Sequence, residues 1–191
     1  YENHNRSKKG IAVDLKKPEG KEIVYRLVGE LDIFIQNWRP GLAERLGVDY
    51  ETLRKHNPKL IYGSGSGYGP LGPWSDRPAV DVVAQARAGL QMAAGEPGGP
   101  PIMPIEAIAD DMGCFAFAFG LVVALYARNT MGIGQKVDAS LFGGMVRLQR
   151  WPLENYLLTG NPLERADRRK APNPLYNQYQ CKDGRWLTIC H

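Results

Sequence analysis

Two rhythms of apolar residues alternate along this chain. Between Pro18 and Asp32, the positions Ile23, Val24, Leu27, Val28 and Leu31 recur every three or four residues, the spacing of one helix face. Pro18 suits the first turn of that helix, where its missing N–H costs nothing. Two short apolar runs flank it, "GIAVDL" (Gly10–Leu15) and "IFIQNW" (Ile33–Trp38), and both read as strands. Strand, helix and strand within about 28 residues predict a βαβ unit, and therefore a parallel sheet.

The alternation continues. "DYETLRKHN" predicts a helix that Asp49 caps and that closes before Pro58. "LIYGSGSGY" is a strand running into glycines, and "VDVVAQARAGLQMAA" a helix. "GEPGGPPIMP" is a loop by composition. A long helix follows over 107–129, uncharged from Met112 to Ala127 and apolar on nearly all sides. That pattern predicts a buried helix, and the uncharged run is short against the roughly 20 residues of a membrane span. "GIGQ" turns the chain into the strand "KVDASL". A further helix from Phe142 to Thr159 carries a break near Trp151-Pro152. "YNQYQCKDGRWLTIC" reads as a hairpin with Asp183-Gly184 in its turn. The hairpin departs from the α/β alternation. It places a large α/β domain over 1–160, and a linker with the start of a smaller second domain over 161–191.

Composition narrows the class. The chain has 191 residues, 43% of them hydrophobic and 23% charged, which suits one cored globular domain or slightly more. The net charge of +4 is spread out, with knots at Lys8-Lys9, Lys16-Lys17 and Arg165–Lys170. No aromatics interleave with these knots, which argues against a nucleic-acid surface and for solvated faces. Cys114, Cys181 and Cys190 are an odd set without paired spacing, which points to a reducing compartment, the cytoplasm. His4, His56 and His191 lie far apart, without metal-ligand spacing. No signal-peptide pattern opens the chain. Both ends read as cut: no Met starts the chain, and "GRWLTICH" stops inside a strand-like run.

Candidate chemistry gathers at loops, where open parallel sheets bind ligands. "DLKKPEG", "QNWRPG" and "GSGSGYGPLGPWSDRP" offer Lys16, Asn37, Arg39, Arg45, Arg77 and backbone amides. Cations beside helix starts suit a phosphate-bearing ligand. Polar turns without a ligand explain any single loop equally well. "GSGSG" lacks the spacing of a dinucleotide fingerprint, which argues against a nucleotide-dependent oxidoreductase. Asp110 and Asp111 stand in the first turn of the long helix. Both acids complement the helix dipole there. Successive helical residues point about 100° apart, so the two cannot face one small site. A carboxylate aimed at helix N–H groups is held ionised and is a competent nucleophile toward an activated acyl group. Gly113 allows close approach of a ligand or of a neighbouring helix. Cys114 reads as inert core, His56 as surface, and Trp74 and Trp151 as packing residues.

These segments in this order resemble the class III coenzyme A transferase family, which includes formyl-CoA transferase, carnitine CoA-transferase and α-methylacyl-CoA racemase. The resemblance is carried by "IAVDLKKPEGKE", the run from "QNWRPG" to "AQARAGL", "GEPGGPPI", "IADDMG" and "GIGQKVDASLF". It implies a Rossmann-like parallel sheet and an interlocked homodimer. It also implies about 50–60 residues before this segment and a larger piece after it. Val13, Asp14, Leu15 and Lys16 match the family's CoA pocket, as do Asn37, Trp38 and Arg39. Arg45, and more loosely Arg77, match phosphate contacts. Asp110 matches the catalytic Asp, ten residues before Gly120, and Asp111 a position that is usually apolar.

The activity so implied moves CoA between carboxylic acids through an aspartyl anhydride and an aspartyl-CoA thioester. Its substrates are acyl-CoA thioesters and carboxylates, with no tightly bound cofactor, metal, nucleic acid or membrane. The racemase branch needs a base, usually a His, just before the position matching Asp81. Val80 stands there, and no His lies between His56 and His191, which favours acyl transfer. A CoA-binding or assembly subunit without catalysis is the alternative of another class.

Overall fold

The structure, a computed structural model, describes residues 2–191. Its elements run α1 (Glu2–Asn5), α2 (Pro18–Val28), β1 (Ile33–Gln36), α3 (Leu42–Leu46), α4 (Tyr50–Leu53), β2 (Ile61–Ser66), α5 (Asp81–Arg87) and α6 (Leu90–Ala93). Then follow α7 (Ile108–Met131), β3 (Gln135–Ser140), α8 (Leu141–Leu148), α9 (Arg150–Thr159), a short 3₁₀ turn (Arg168–Lys170), β4 (Tyr176–Gln180) and β5 (Trp186–Cys190). The chain divides into two compact units. One comprises the residues up to Pro78 with Cys114–Ser140, the other Ala79–Gly113 with Leu141–His191.

The first unit holds the expected parallel sheet, in the order β1-β2-β3. Ile33 pairs with Ile61, and Ile61 with Gln135, so the central strand β2 is hydrogen-bonded on both edges. Its core gathers Val28, Val48, Leu53, Leu60 and Tyr62, with Leu15 and Trp38 packed against it. Asp49 caps α4 as expected, its carboxylate accepting from Thr52 N at 3.1 Å and Thr52 Oγ1 at 2.7 Å. From Cys114 onward α7 lies on the sheet. A Cβ at Gly63 would fall 2.5 Å from the Phe117 ring, and one at Gly120 2.9 Å from Val137 Cγ1. The two glycines are the recesses that let helix and sheet approach.

Several expectations need correction. Residues 10–14 form no regular element, Leu15 begins a turn, and none of them belongs to a ladder. Their apolar positions mark half-burial rather than pairing: Val13 and Leu15 turn inward, and buried Gly20 sits under the Asp14 carbonyl. The helix over 107–129 is present as the 24-residue α7, about 36 Å long, but it is not buried all round. Phe115, Phe119 and Tyr126 are 76%, 67% and 72% exposed. An all-apolar helix does not specify which faces find a partner, and the sheet seats one stripe. By length and composition alone α7 is long and apolar enough to cross a membrane. Cys114, on the face of α7 that the sheet leaves open, is exposed, and so is Trp151 on α9, although both were expected in packed surroundings.

In the second unit Ala84, Ala109 and Met145 form a small buried cluster that joins α5, the start of α7 and α8. The helix read over 80–94 is two short ones, because Gly89 adopts a left-handed φ of 86° between them. The helix read from Phe142 breaks at Gln149, three residues before Pro152. Pro152 has no N–H to donate, and its ring collides with the carbonyl four residues back, that of Leu148. Gln149 spans the break by donating from Nε2 to Ala88 O at 2.7 Å. The hairpin is present, β4 antiparallel to β5, with Gly184 at φ 82° in its turn.

Candidate functional site

The first turn of α7 is built around a carboxylate that sequence reading did not single out. Asp81, at the start of α5, reaches the beginning of α7. Its Oδ1 accepts from Ala109 N at 2.7 Å and Asp110 N at 3.3 Å, and its Oδ2 accepts from Ala107 N at 3.2 Å. Gln85, one turn along the same face of α5, donates from Nε2 to Asp81 Oδ2 at 2.6 Å and to Ile105 O at 3.0 Å. Gln85 is fully buried, and its Oε1 has no partner among the described residues. Between these anchors Ala107 is held at a left-handed φ of 61°, which costs a non-glycine residue about 1–2 kcal/mol. Asp81 and Gln85 at i and i+4 were the available signal in "DVVAQ", but only the fold shows what they reach.

Asp110 sits in this turn with its side chain toward solvent and accepts no hydrogen bond among the described residues. The sequence expectation that helix N–H groups hold its carboxylate is therefore corrected: those donors belong to Asp81. Burial raises the Asp110 pKa above the usual carboxylate range, and the charges of Asp81 and then Asp111 raise it further. Asp111 is exposed, with its backbone N–H bonded to Ala107 O at 2.9 Å, as in an ordinary helical turn. One turn on, α7 meets α8 almost backbone to backbone. A Cβ on Gly144 would lie 2.7 Å from Gly113 N, and one on Gly113 3.0 Å from Leu141 Cδ2. Gly113 thus serves helix packing.

The loop before this turn is fastened by another residue missed as chemistry. Arg165, read only as part of a basic knot, donates to the carbonyls of Met92, Glu96, Gly99 and Pro100 at 2.6–3.0 Å. Arg168 adds an ion pair with Glu96 at 2.9 Å and lies over the Trp186 ring at 4.4 Å. Arg165→Ala is expected to lower stability by about 1–3 kcal/mol, read as a lower urea midpoint at unchanged slope. Arg165→Lys should recover little, because one ammonium cannot replace a planar fork. Recovery to wild-type stability by Lys would show that the charge alone matters.

The cationic loops belong to the first unit. Lys16 N bonds Asp14 Oδ1 at 3.0 Å and Lys17 N bonds Asp14 O at 3.1 Å, which folds the segment into a tight turn before α2. A Cβ on Gly20 would stand 2.1 Å from Asp14 O, so only glycine lets Val13–Asp14 cross the helix start. After β1, Gln36 fixes the next loop, accepting from Trp38 N at 2.7 Å and donating to Ser64 Oγ at 2.9 Å. Leu15 and Trp38 pack on one core cluster, so the loops of Val13–Lys16 and Asn37–Arg39 are anchored together. Lys16, Asn37, Arg39, Arg45 and Arg77 are exposed. Arg77 lies in the long loop after β2, its N–H bonded to Trp74 O at 2.9 Å. Trp74 packs edge-on to Tyr68 at 5.4 Å, and exposed His56 stacks on Tyr25 at 4.2 Å. Val80, at the N-terminus of α5, is 62% exposed and offers no base. Among the described residues no group of three or more His, Cys, Asp or Glu side chains gathers as a metal site.

The family model described as CoA-transferase family III matches residues 1–191. Acetyl-CoA:oxalate CoA-transferase of Acetobacter aceti is 36% identical over 188 residues, covering 97% of this chain and 48% of that protein. Succinyl-CoA–D-citramalate CoA-transferase of Chloroflexus aurantiacus is 35% identical over 184 residues, 96% of this chain and 46% of that protein. The crystal structure of a CAIB/BAIF family protein from Brucella suis superposes with a TM-score of 0.85 at 33% identity, over 95% of this chain and 48% of that one. The chain spans about half the length of the curated relatives it matches.

Proposed function

Since the chain belongs to CoA-transferase family III, we propose that the protein containing it moves CoA from an acyl-CoA thioester to a carboxylate, with Asp110 as the covalent nucleophile. The observation that carries this reading is a carboxylate free of hydrogen bonds at the first turn of a clamped helix. An acid so placed has little to stabilise its charge and keeps its nucleophilicity toward an acyl carbonyl.

The steps balance without a further reactant. The Asp110 carboxylate attacks the donor thioester carbonyl, expels CoA thiolate and leaves a mixed anhydride. The thiolate attacks the Asp110 carbonyl of that anhydride, which releases the donor acid and leaves an aspartyl-CoA thioester. The acceptor carboxylate then attacks the thioester carbonyl, expelling thiolate and forming a second anhydride. Thiolate attacks its acceptor-side carbonyl, giving the new acyl-CoA and free Asp110. Backbone N–H groups of glycine-rich loops stabilise the oxyanions in this scheme.

Val13, Asp14, Leu15, Lys16, Asn37, Trp38, Arg39, Arg45 and Arg77 are proposed to hold CoA. Exposed cations beside two core-anchored loops support that assignment. The working form is proposed as a cytoplasmic, interlocked homodimer, with the large domain over 1–160 and the small one beginning in 161–191. Acyl-CoA with hydroxylamine should convert Asp110 to its hydroxamate, read by peptide mass. A modified Asp111 with unmodified Asp110 would move the nucleophile by one residue, and no adduct at either would remove the covalent reading. Arg39→Ala and Arg45→Ala should each raise KM for acyl-CoA about tenfold with kcat little changed. A fall in kcat at constant KM would place these residues outside CoA binding.

A further inference from the structure

We infer that Asp81 is the positioning residue of Asp110: it takes the amides of the α7 first turn and so leaves the Asp110 carboxylate unbonded and facing out. The inference rests on the acyl-transfer reading above and explains how a helix start, ordinarily a trap for a carboxylate, can present a free one. The open N–H groups of a first turn normally bond the nearest acid and hold its charge. Here three N–H groups, those of Ala107, Ala109 and Asp110, converge on Asp81 from a different helix. Gln85 fixes Asp81 from behind and ties down Ile105 O, so the left-handed Ala107 is gripped on both sides.

The grip is backed by buried packing on its inner side. Gln85 and Ala84 of α5 are fully buried, as are Ala109 of α7 and Met145 of α8. The ionisable groups that act on Asp110 are Asp81 from α5 and Asp111 on α7. α8 presents Leu141, Gly144 and Met145 to this part of α7. Asp81 therefore contributes in two ways. Its bonds orient the turn, and its charge disfavours further charge on Asp110, in the same direction as burial.

The test compares Asp81→Asn and Gln85→Leu with wild type in the longest natural chain carrying these residues. The readouts are the pH profile of kcat/KM, hydroxamate formation at Asp110, and amide exchange at Ala107, Ala109 and Asp110. Asp81→Asn should lower kcat about 10- to 100-fold, speed exchange at these amides, and move the acid limb to lower pH. Gln85→Leu keeps the Asp81 charge, so it should lower kcat and speed exchange while the limb stays in place. Faster exchange with an unmoved limb in Asp81→Asn would reduce Asp81 to a structural cap and overturn the inference, as would unchanged exchange. If Asp81→Asn does not fold, Gln85→Leu decides: wild-type kcat and exchange there overturn the inference. Absence of the Asp110 hydroxamate in wild type removes the acyl-transfer reading instead, and exchange still reports on the clamp.

Discussion

Asp110→Asn is expected to lower kcat by about 10⁴-fold or more, because the amide cannot form the acyl anhydride. Asp111→Asn should keep most of the activity. The two acids are adjacent in sequence but diverge on the helix, and Asp111 sits in an ordinary helical turn. Asp110→Asn should not unfold the protein. Burial first, then Asp81 and Asp111, raise the Asp110 pKa. Ionising Asp110 therefore costs folding free energy above the usual carboxylate range, and the cost is relieved as pH falls through its raised pKa. An amide removes it, so the variant should melt no lower than wild type at neutral pH. The same shift puts the acid limb of the wild-type kcat/KM profile above the ordinary aspartate range. Wild-type turnover by Asp110→Asn, or a limb at the ordinary value, would contradict this account. Collapse of the variant's melting temperature would contradict the stability part of it.

Gly144→Ala should be the most damaging single methyl near the site. The added Cβ would meet Gly113 N at 2.7 Å and Met112 C at 2.9 Å, both backbone atoms of α7. Backbone cannot rotate away as a side-chain tip can, so α8 and α7 must separate. Overpacking of this kind costs about 1–3 kcal/mol. The displaced turn carries Asp110, and a shift near 1 Å can cost about 10²-fold in rate. Both a lower urea midpoint and a lower kcat are expected. Loss of stability with full kcat would show that the Asp110 turn does not depend on this contact.

Much of the fold was readable along the chain. The positions of α2, β1, β2, α7, β3 and the β4–β5 hairpin follow from period and punctuation, as do the cap of α4 at Asp49 and the break between α8 and α9 near Pro152. Those signals are local, and each residue type acts within a turn or two of itself. Residues 10–15 show where local signals stop: Val13 and Leu15 are half-buried while Ile11 is exposed, and strand pairing needs a partner that alternation does not name. The exposed face of α7 makes the same point for helices.

By itself the sequence determined a parallel α/β chain of family III, and through its resemblance to that family it put forward Asp110 rather than Asp111 as the nucleophile proposed above. Spacing and motif order are properties of the chain, and the divergence of adjacent helical residues is fixed geometry. The tertiary structure alone decided what makes Asp110 available. Its neighbour Asp81 lies 29 residues away along the chain, and so does the hydrogen bond it takes from Asp110 N. Which carboxylate wins a helix N-terminus depends on packing, because the nearest acid in space is set by how α5 and α7 meet.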